Sequence, residues 1–355
     1  MAPIKLFVPG RLCLFGEHSD WAGMYRTINP NIEKGLAIVT GIEQGIYATA
    51  EISDRFIMCG QGDSLSNEHF ECEMDSKELL ITAQKGGYYS YVAGVASYMK
   101  DHYVVGGIKV TITKRDIPIK SGLSSSAAIC VLVARAFNRL YDLNLSTEDE
   151  MRVAFRGEQR TPSRCGRLDQ ACAFGGRPVL MEFDGDQINT KELQVGGTFH
   201  WVVANLMSSK NTIKILGDLN RSFPFASKDA DRKLHEALGI DNRRIVLRAA
   251  KLIEMGDAKE LGALMNEAER NFDEKVMPAC DELKAPVLHS LLNDPAIAEW
   301  SFGARGVGSH GDGMIQILAK SKRDSEQLKI YLKEKKNMPS VSVTIRPSSK
   351  NILAE

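Results

Sequence analysis

The sequence has no surplus of either charge, because 45 Lys and Arg residues balance 45 Asp and Glu residues over 355 positions. Without a basic surplus, neither a dedicated nucleic-acid binder nor a basic membrane-surface protein is expected. No stretch reaches the ~20 consecutive apolar residues of a membrane span. The apolar run from Ile4 to Phe15 contains Pro9, Gly10 and Arg11, which make it a poor signal-peptide core. These absences predict a cytoplasmic protein with neither a nucleic-acid nor a membrane partner.

The cysteines and histidines also lack a pattern. The seven cysteines are scattered, odd in number and without a CxxC pair. They predict reduced thiols rather than a disulfide framework or a zinc site. The seven histidines show no metal-ligand spacing. The sequence has no low-complexity tract or flexible linker either, and its 43% hydrophobic and 25% charged residues are typical of a globular protein.

What is present is a mixture of strand and helix patterns. Short β-branched or alternating runs predict strands over most of the first ~110 residues. Helical periodicity then predicts helices over 88–100 and 127–141, and Ser146 has the pattern of a helix cap. After residue 190 the pattern repeats, with helices at 229–239, 242–256, 257–272 and 281–293 between strands. Such separate runs of strands and helices favour an α+β fold with a domain boundary near 190.

The most informative segment is Pro118 to Ala128, where a glycine and three consecutive serines precede a helical run. Unpaired N–H groups and the dipole at a helix start attract anions, and small side chains allow a phosphate to approach the backbone. Serine hydroxyls add donors or a ligand for the Mg²⁺ that accompanies a nucleotide. The segment alone is equally compatible with an ordinary serine N-cap in a turn.

Three further segments carry glycine or acidic residues in a fixed order. The first runs from Pro9 to Asp20 and contains PGR and GEHSD. The second, Gly157 to Gln170, contains CGRLDQ, and the third, Gly303 to Gly313, reads GARGVGSHGDG. Each alone has a plain structural explanation, because glycine-rich turns and end-of-helix carboxylates are common.

Together these segments resemble the GHMP kinase family, which includes galactokinase, homoserine kinase and the mevalonate kinases. Residues 118–128 match the family's phosphate loop P-x-G-x-G-L-x-S-S-A-A. The strings GEHSD and CGRLDQ are similar to galactokinase's G-E-H-x-D and C-G-x-x-D-Q. The resemblance implies a two-domain fold, with a ribosomal protein S5 domain 2-like domain at 1–190, a ferredoxin-like domain at 191–355 and the active site in the cleft between them.

The resemblance implies an ATP-dependent sugar kinase that uses Mg²⁺, acts on the anomeric hydroxyl and is a monomer or homodimer. Asp169 would be catalytic, either accepting the proton of the acceptor hydroxyl or only orienting that hydroxyl, and Arg11 would stabilise the transferring phosphoryl group. The metal ligands would be Ser125, Ser126 and Glu158. The residues expected to bind ATP are Lys120, Ser121, Gly122, Leu123, Ser124, Ser125, Ser126 and Ala127.

The residues expected to bind the acceptor substrate come from the segments Pro9 to Asp20 and Gly303 to Gly313. By resemblance, the sugar hydroxyls would meet Glu17, His18 and Asp20, and the floor under substrate and phosphates would be Gly306, Gly308 and Gly311. A site that pairs each hydroxyl of a polyol rejects analogues that lack one. The polar loop Asn205 to Thr212 is a further candidate lining of the site.

Three residues depart from the family pattern, and two other functions stay open. Lys120 stands in place of a glycine, while His310 and Asp312 stand where small residues are usual. One alternative is a family kinase for another polyol, a mevalonate-type alcohol or an acidic sugar, with Lys120, Arg164 or Arg167 pairing with the substrate's charge. The other is a non-catalytic sensor, which the presence of Arg11, Asp169 and the serine loop disfavours.

Overall fold

The computed structural model describes residues 2–61, 69–117, 124–162 and 166–348. The chain forms two compact units, each built from two stretches of sequence. The first unit contains Met1–Leu12 and Thr40–Gly176, and the second contains Cys13–Val39 and Arg177–Glu355. Because the units are discontinuous along the chain, the division at residue 190 stays a prediction.

The described residues form strands and helices with these bounds. The strands are β1 (Ile4–Phe15), β2 (Gly35–Ser53), β3 (Phe56–Gly60), β4 (His69–Cys72), β5 (Gly107–Arg115), β6 (Val179–Asp184), β7 (Gln187–Glu192), β8 (Phe199–Asn205), β9 (Ser301–Gly306), β10 (Met314–Ala319) and β11 (Ser340–Ile345). The helices are α1 (Ser19–Met24), α2 (Ser76–Gln84), α3 (Tyr88–His102), α4 (Ser125–Leu140), α5 (Thr147–Glu158), α6 (Thr212–Asn220), α7 (Asp229–Glu236), α8 (Asn242–Met255), α9 (Ala258–Lys275), α10 (Pro286–Leu292), α11 (Pro295–Trp300) and α12 (Lys322–Lys336).

In the first unit, strands β4, β3, β5 and the later part of β2 lie side by side in that order. The β3–β5 pair is parallel, whereas β3–β4 and β2–β5 are antiparallel. Helices α3, α4 and α5 pack on one another. A Cβ atom on Gly94 of α3 would lie 2.3 Å from the carbonyl oxygen of Gly157 on α5. This close approach positions the end of α5, where Glu158 lies.

In the second unit, four antiparallel strands form a sheet in the order β11, β8, β10 and β9. Val202, Ile315 and Ile317 on these strands pack with Leu328 and Leu332 of α12 in a buried core. Strand β6 pairs with Gly35–Val39 at the start of β2, and β7 pairs with β6. A Cβ atom on Gly303 would lie 2.0 Å from the carbonyl oxygen of Gly262, so only glycine lets α9 lie directly against β9.

Several boundaries differ from those that the sequence predicts. Strand β2 is continuous through Gly41 and Gly45, whereas the β-branched runs at 35–40 and 45–52 predict two separate strands. A Cβ atom there would lie 2.3 Å from the oxygen of Gly175 and 2.2 Å from the ring of Phe7, so these glycines allow close packing rather than a turn. The helix predicted over 281–293 is wrong, because a 3₁₀ turn ends at Lys284 and α10 begins at Pro286.

Among the described residues, no helix combines the length and the apolar character needed to cross a membrane.

Candidate functional site

The phosphate-loop segment enters the described structure at Ser124. Lys120, Ser121, Gly122 and Leu123 lie outside the described residues, as do Arg164 and Cys165. Ser124 is left-handed (φ 56°) and precedes α4, yet its hydroxyl does not cap that helix. The reading of this residue as an ordinary N-cap is therefore wrong. Ser125 and Ser126 are half-buried in the first turn of α4, and Ala127 is buried.

The hydroxyl of Ser124 instead donates to a carboxylate. Ser124 Oγ lies 2.9 Å from Asp169 Oδ1, and Arg11 on β1 donates from Nη2 to the same oxygen. Asp169 begins a 3₁₀ turn that ends at Phe174. Its side chain keeps 23% of its surface exposed, against 10% for Arg11. The first unit thus brings together three predicted site residues, and the carboxylate among them is accessible.

Glu158 is fully buried at the last position of α5. Gln170 donates from Nε2 to Glu158 Oε2 at 2.8 Å, and Gln170 directly follows Asp169 in the chain. This bond ties the carboxylate of Glu158 to the 3₁₀ turn that carries Asp169. The same turn contains Cys172, where burial raises the thiol pKa to about 12. Cys172 is therefore a packing residue rather than a nucleophile.

In the second unit, Glu17 forms a buried ion pair with Arg305 of β9. Arg305 Nη1 lies 2.8 Å from Glu17 Oε2 and 3.1 Å from the carbonyl oxygen of Leu14. The side chains are only 5% and 3% exposed for Arg305 and Glu17, respectively. The other carboxylate oxygen, Oε1, has no hydrogen-bond partner among the described residues. Glu17 and Arg305 line a cavity of about 30 Å³, which is room for one or two water molecules.

His18 follows Glu17 in the left-handed conformation (φ 69°) and is buried. Trp21 donates from Nε1 to His18 Nδ1 at 3.1 Å, so the proton of the neutral ring is on Nε2. Burial lowers the pKa of His18 to about 4, and the charges of Lys210 and Arg305 act in the same direction. The backbone of Ser309 opposes this decrease of the pKa. Nε2 itself has no partner in hydrogen-bond geometry among the described residues. His18 thus presents a neutral N–H donor.

Asp20 lies in α1, two positions after His18, and is buried. The second unit therefore contains all three residues that are predicted to bind the acceptor substrate, within four consecutive positions.

The predicted glycine floor begins at the end of β9. Gly306 is the last residue of that strand, and its N–H donates to Glu269 Oε2 at 3.0 Å. Gly308 and Gly311 both have a φ of 68°, a conformation that favours glycine. Burial raises the pKa of Glu269 to about 7, while the charge of Arg305 and the N–H of Gly306 oppose the shift.

The departures at His310 and Asp312 anchor this segment. The His310 ring stacks on Phe272 with centroids 3.7 Å apart, and its Nε2 lies 3.4 Å from Nη2 of Arg305. Asp312 Oδ1 accepts from the N–H of Leu288 at 2.9 Å, in the first turn of α10. Ala285, the residue before α10, has no side-chain cap to offer, so Asp312 supplies one from a distant part of the chain.

The polar loop after β8 makes two contacts with the glycine segment. Lys210 donates from Nζ to the carbonyl oxygen of His310 at 3.0 Å. Thr212 Oγ1 lies 3.2 Å from Ser309 Oγ. Asn205 and Asn211 instead stabilise their own loop and α6, because their side chains accept local backbone N–H groups.

Sequence reasoning did not single out Arg305 or Glu269. Arg305 lies inside the segment Gly303 to Gly313. An arginine that is buried needs a carboxylate partner, and this requirement could have identified it as a candidate. Glu269 has no such signal, because its contact with Gly306 joins positions 37 residues apart.

A model of the GHMP kinases N terminal domain matches residues 90–177, the stretch that contains α4, Glu158 and Asp169. The galactokinase of Thermococcus kodakarensis is 28% identical, with 97% of this chain and 98% of the relative covered. The galactokinase of Pyrococcus furiosus is 27% identical, with 91% of each chain covered.

A solved structure has the same fold. The crystal structure of Lactococcus lactis galactokinase complexed with galactose superposes with a TM-score of 0.73 at 19% identity, over 97% of this chain and 93% of that one. At this identity, the likeness shows the two-domain α+β fold that the sequence predicts. Residues 90–177 thus match the GHMP kinases N terminal domain, the chain is similar to galactokinases over more than nine-tenths of its length, and it is a phosphotransferase of the small-molecule kinase class.

Proposed function

We propose that the protein transfers the γ-phosphoryl group of ATP to a sugar, at the anomeric C1 hydroxyl. The observation that carries the proposal is the convergence of Arg11, Ser124 and Asp169 at the start of α4. It combines an accessible carboxylate for the acceptor hydroxyl, a guanidinium for phosphoryl charge and a helix N-terminus for phosphates. Phosphoryl transfer depends mostly on such positioning and charge neutralisation.

The start of α4 is the proposed phosphate site. Since the Ser124 side chain does not cap the helix, it leaves the first-turn N–H groups to phosphate oxygens. The proposed ATP-binding residues 120–127 extend this surface, and their first four lie outside the described residues.

Mg²⁺ is the proposed companion of ATP. The carboxylate of Glu158 and the hydroxyls of Ser125 and Ser126 are oxygen donors, which is the ligand type that Mg²⁺ takes. Glu158 is fully buried, and the hydrogen bond from Gln170 Nε2 fixes the orientation of its carboxylate. The donor set therefore fits the ion, which when bound would offset the charge of the phosphates.

At the reacting atoms, Asp169 orients the acceptor hydroxyl. The hydroxyl oxygen forms a bond to the γ-phosphorus, the bond from that phosphorus to the bridging oxygen breaks, and ADP leaves. The hydroxyl proton passes to Asp169 or to solvent. Arg11 remains cationic throughout and stabilises the negative charge of the transferring group.

The acceptor side supports a polyol. Glu17, His18 and Asp20 lie within four consecutive positions, and His18 presents a neutral donor. A neutral donor beside carboxylate oxygens suits hydroxyl groups, each of which donates and accepts. Galactose is the first candidate, since the galactokinases of Thermococcus kodakarensis and Pyrococcus furiosus match more than nine-tenths of the chain.

One observation favours a second candidate, an acidic sugar. Lys210 contacts the glycine segment, and its charge lowers the pKa of both His18 and His310. A positive potential at this place would also stabilise a substrate carboxylate.

A coupled ADP-release screen with ATP and Mg²⁺ tests the proposal. The acceptors would be galactose, glucuronate, arabinose, fucose, mannose, their N-acetyl analogues, myo-inositol and mevalonate. We expect turnover with a sugar and loss of that turnover with its 1-O-methyl glycoside, which lacks the anomeric hydroxyl. Turnover with mevalonate alone would refute the sugar assignment, and retained turnover with the glycoside would refute the C1 assignment.

The proposed location is the cytoplasm. All six cysteines that the structure describes are free thiols, in keeping with a reducing compartment.

A further inference from the structure

A mixed cluster of ligand-type side chains lies behind the glycine segment, in the second unit. Glu269 and Asp273 are four positions apart on α9 and therefore share one face of that helix. His289 lies on α10. One carboxylate oxygen from each acid and one ring nitrogen of His289 all lie within 4.8 Å of one another.

The orientation of His289 suits a metal ligand. Nδ1 lies 2.9 Å from the carbonyl oxygen of Ala285, so this nitrogen carries a proton and donates it. Nε2 then faces Asp273 Oδ2 at 3.0 Å. A backbone carbonyl that holds one imidazole nitrogen while the other faces outward is the usual support of a metal-bound histidine.

Glu269 supplies an independent observation. The residue is 5% exposed, and Oε2 accepts from the N–H of Gly306. Its second oxygen, Oε1, is buried and has no hydrogen-bond partner among the described residues. Such an atom is uncommon in folded proteins and calls for a ligand, because an unsatisfied buried acceptor has lost its hydration without compensation.

We propose that Glu269, Asp273 and His289 form a binding site for a divalent transition-metal ion, with Zn²⁺ or Mn²⁺ as the fitting ions. Two carboxylates and one imidazole are ligands that both ions accept, and three protein ligands leave positions for water. Ligand atoms on one such ion lie about 3–4 Å apart, so the three groups need to approach one another by at most about 2 Å.

The charges around the cluster are compatible with a cation. The positive charge of Arg305 acts on Glu269, but Arg305 is itself paired with Glu17 at 2.8 Å. Nε2 of His289 faces Asp273 Oδ2 at 3.0 Å, and a bound ion would take the place of that contact.

The site would be separate from the proposed Mg²⁺ ligands, all of which belong to the first unit. Its effect would be structural, because Glu269 holds the N–H of Gly306. The ion would join α9, α10 and the start of the glycine segment.

Equilibrium dialysis of the full chain tests the proposal, with Zn²⁺ in one arm, Mn²⁺ in the other and millimolar Mg²⁺ in both to occupy the Mg²⁺ site. We expect one equivalent of Zn²⁺ or Mn²⁺, and at least a tenfold loss of affinity in Asp273→Asn and in His289→Gln. The matched control is His69→Gln, which removes an exposed histidine 3.6 Å from Glu71 and should bind as the unmodified chain does.

A folding defect and a lost ligand are distinguished by circular dichroism and by Glu269→Gln. That variant keeps an oxygen for Gly306 but loses the charge, so it should stay folded and bind the ion more weakly. Unchanged affinity in all three cluster variants, or no bound Zn²⁺ or Mn²⁺ at 1 mM free ion, would overturn the proposal.

Discussion

The two units each hold an arginine–carboxylate pair, and the pairs differ in burial. In the first unit, the carboxylate of Asp169 keeps 23% of its surface exposed beside Arg11. In the second, Glu17 and Arg305 are almost fully buried. Arg11 and Glu17 are only six positions apart in one motif. The same ion-pair chemistry therefore serves two purposes: an accessible pair can meet a reacting group, whereas a buried pair holds its surroundings in place.

Asp169→Asn should have the largest effect on activity. The amide cannot take a proton and holds Arg11 more weakly, so kcat should fall by about 10²–10⁴-fold. Nucleotide affinity and thermal stability should change little, because the side chain is partly exposed. Steady-state kinetics and nucleotide titration measure both quantities.

The matched control for this substitution is Asp184→Asn, which removes the carboxylate that pairs with Arg26. It should leave kcat unchanged. Equal turnover in Asp169→Asn and the unmodified chain would remove Asp169 from the mechanism.

Arg305→Met should have the largest effect on stability. It leaves Glu17 buried without its partner, which costs about 3–5 kcal/mol of unfolding free energy. Urea denaturation measures this loss. Adding Glu17→Gln should restore part of it, because the buried charge is then gone.

The exposed counterpart of this pair is Arg248, which meets Glu260 and Glu267 on the surface. Arg248→Met should cost less than about 1 kcal/mol. An equal loss in the two arginine variants would show that burial does not distinguish these pairs.

His18 should make stability depend on pH in a defined window. Its pKa is about 4 in the folded chain and 6.5 in the unfolded one, so the unfolded chain binds more protons between these values. The stabilisation is complete above pH 6.5 and is lost as the pH falls toward 4. The difference amounts to roughly 3 kcal/mol.

Urea denaturation of His18→Asn at pH 7, 5.5 and 4.5 checks this contribution. The difference in unfolding free energy between the variant and the unmodified chain should narrow as the pH falls. A difference that stays constant would contradict the assignment.

Asp312→Ala should lower the unfolding free energy by about 1 kcal/mol, because one helix-capping acceptor is lost. It should also raise the KM of the acceptor, since Asp312 anchors the glycine segment to α10. Asp75→Ala removes a similar cap from α2 in the first unit. Asp75→Ala should lower the unfolding free energy by a similar amount but leave the KM of the acceptor unchanged. If the KM increased in both variants, Asp312 would not be a specific anchor of the glycine segment.

Local pattern was sufficient where neighbours in sequence decide the structure. Helices α3, α4 and α5 occur close to their predicted bounds, because helical periodicity and a capping box are local signals. The continuous β2 was not predictable, since Gly41 and Gly45 serve packing against residues far away in the chain. The π-helix at Ala237–Asp241 likewise interrupts a run that reads as ordinary helix.

In the candidate site, too, some features are predictable from the sequence and others are not. The motifs identify Arg11, Asp169 and the string from Glu17 to Asp20, because the residue types at fixed spacings carry the chemistry. They do not reveal that Ser124 binds Asp169 rather than its own helix, or that His310 stacks on Phe272.

The sequence by itself predicted the resemblance to the kinases, the α+β class and the candidate site residues, because short motifs record chemical requirements directly. The tertiary structure decided which carboxylate is exposed, which imidazole is neutral and which acid lacks a partner. Those properties depend on burial and on contacts between distant positions, such as Glu17 with Arg305 and Glu269 with Gly306. Desolvation and charge pairing act through space, and the order of residues along the chain does not contain the distances on which they depend.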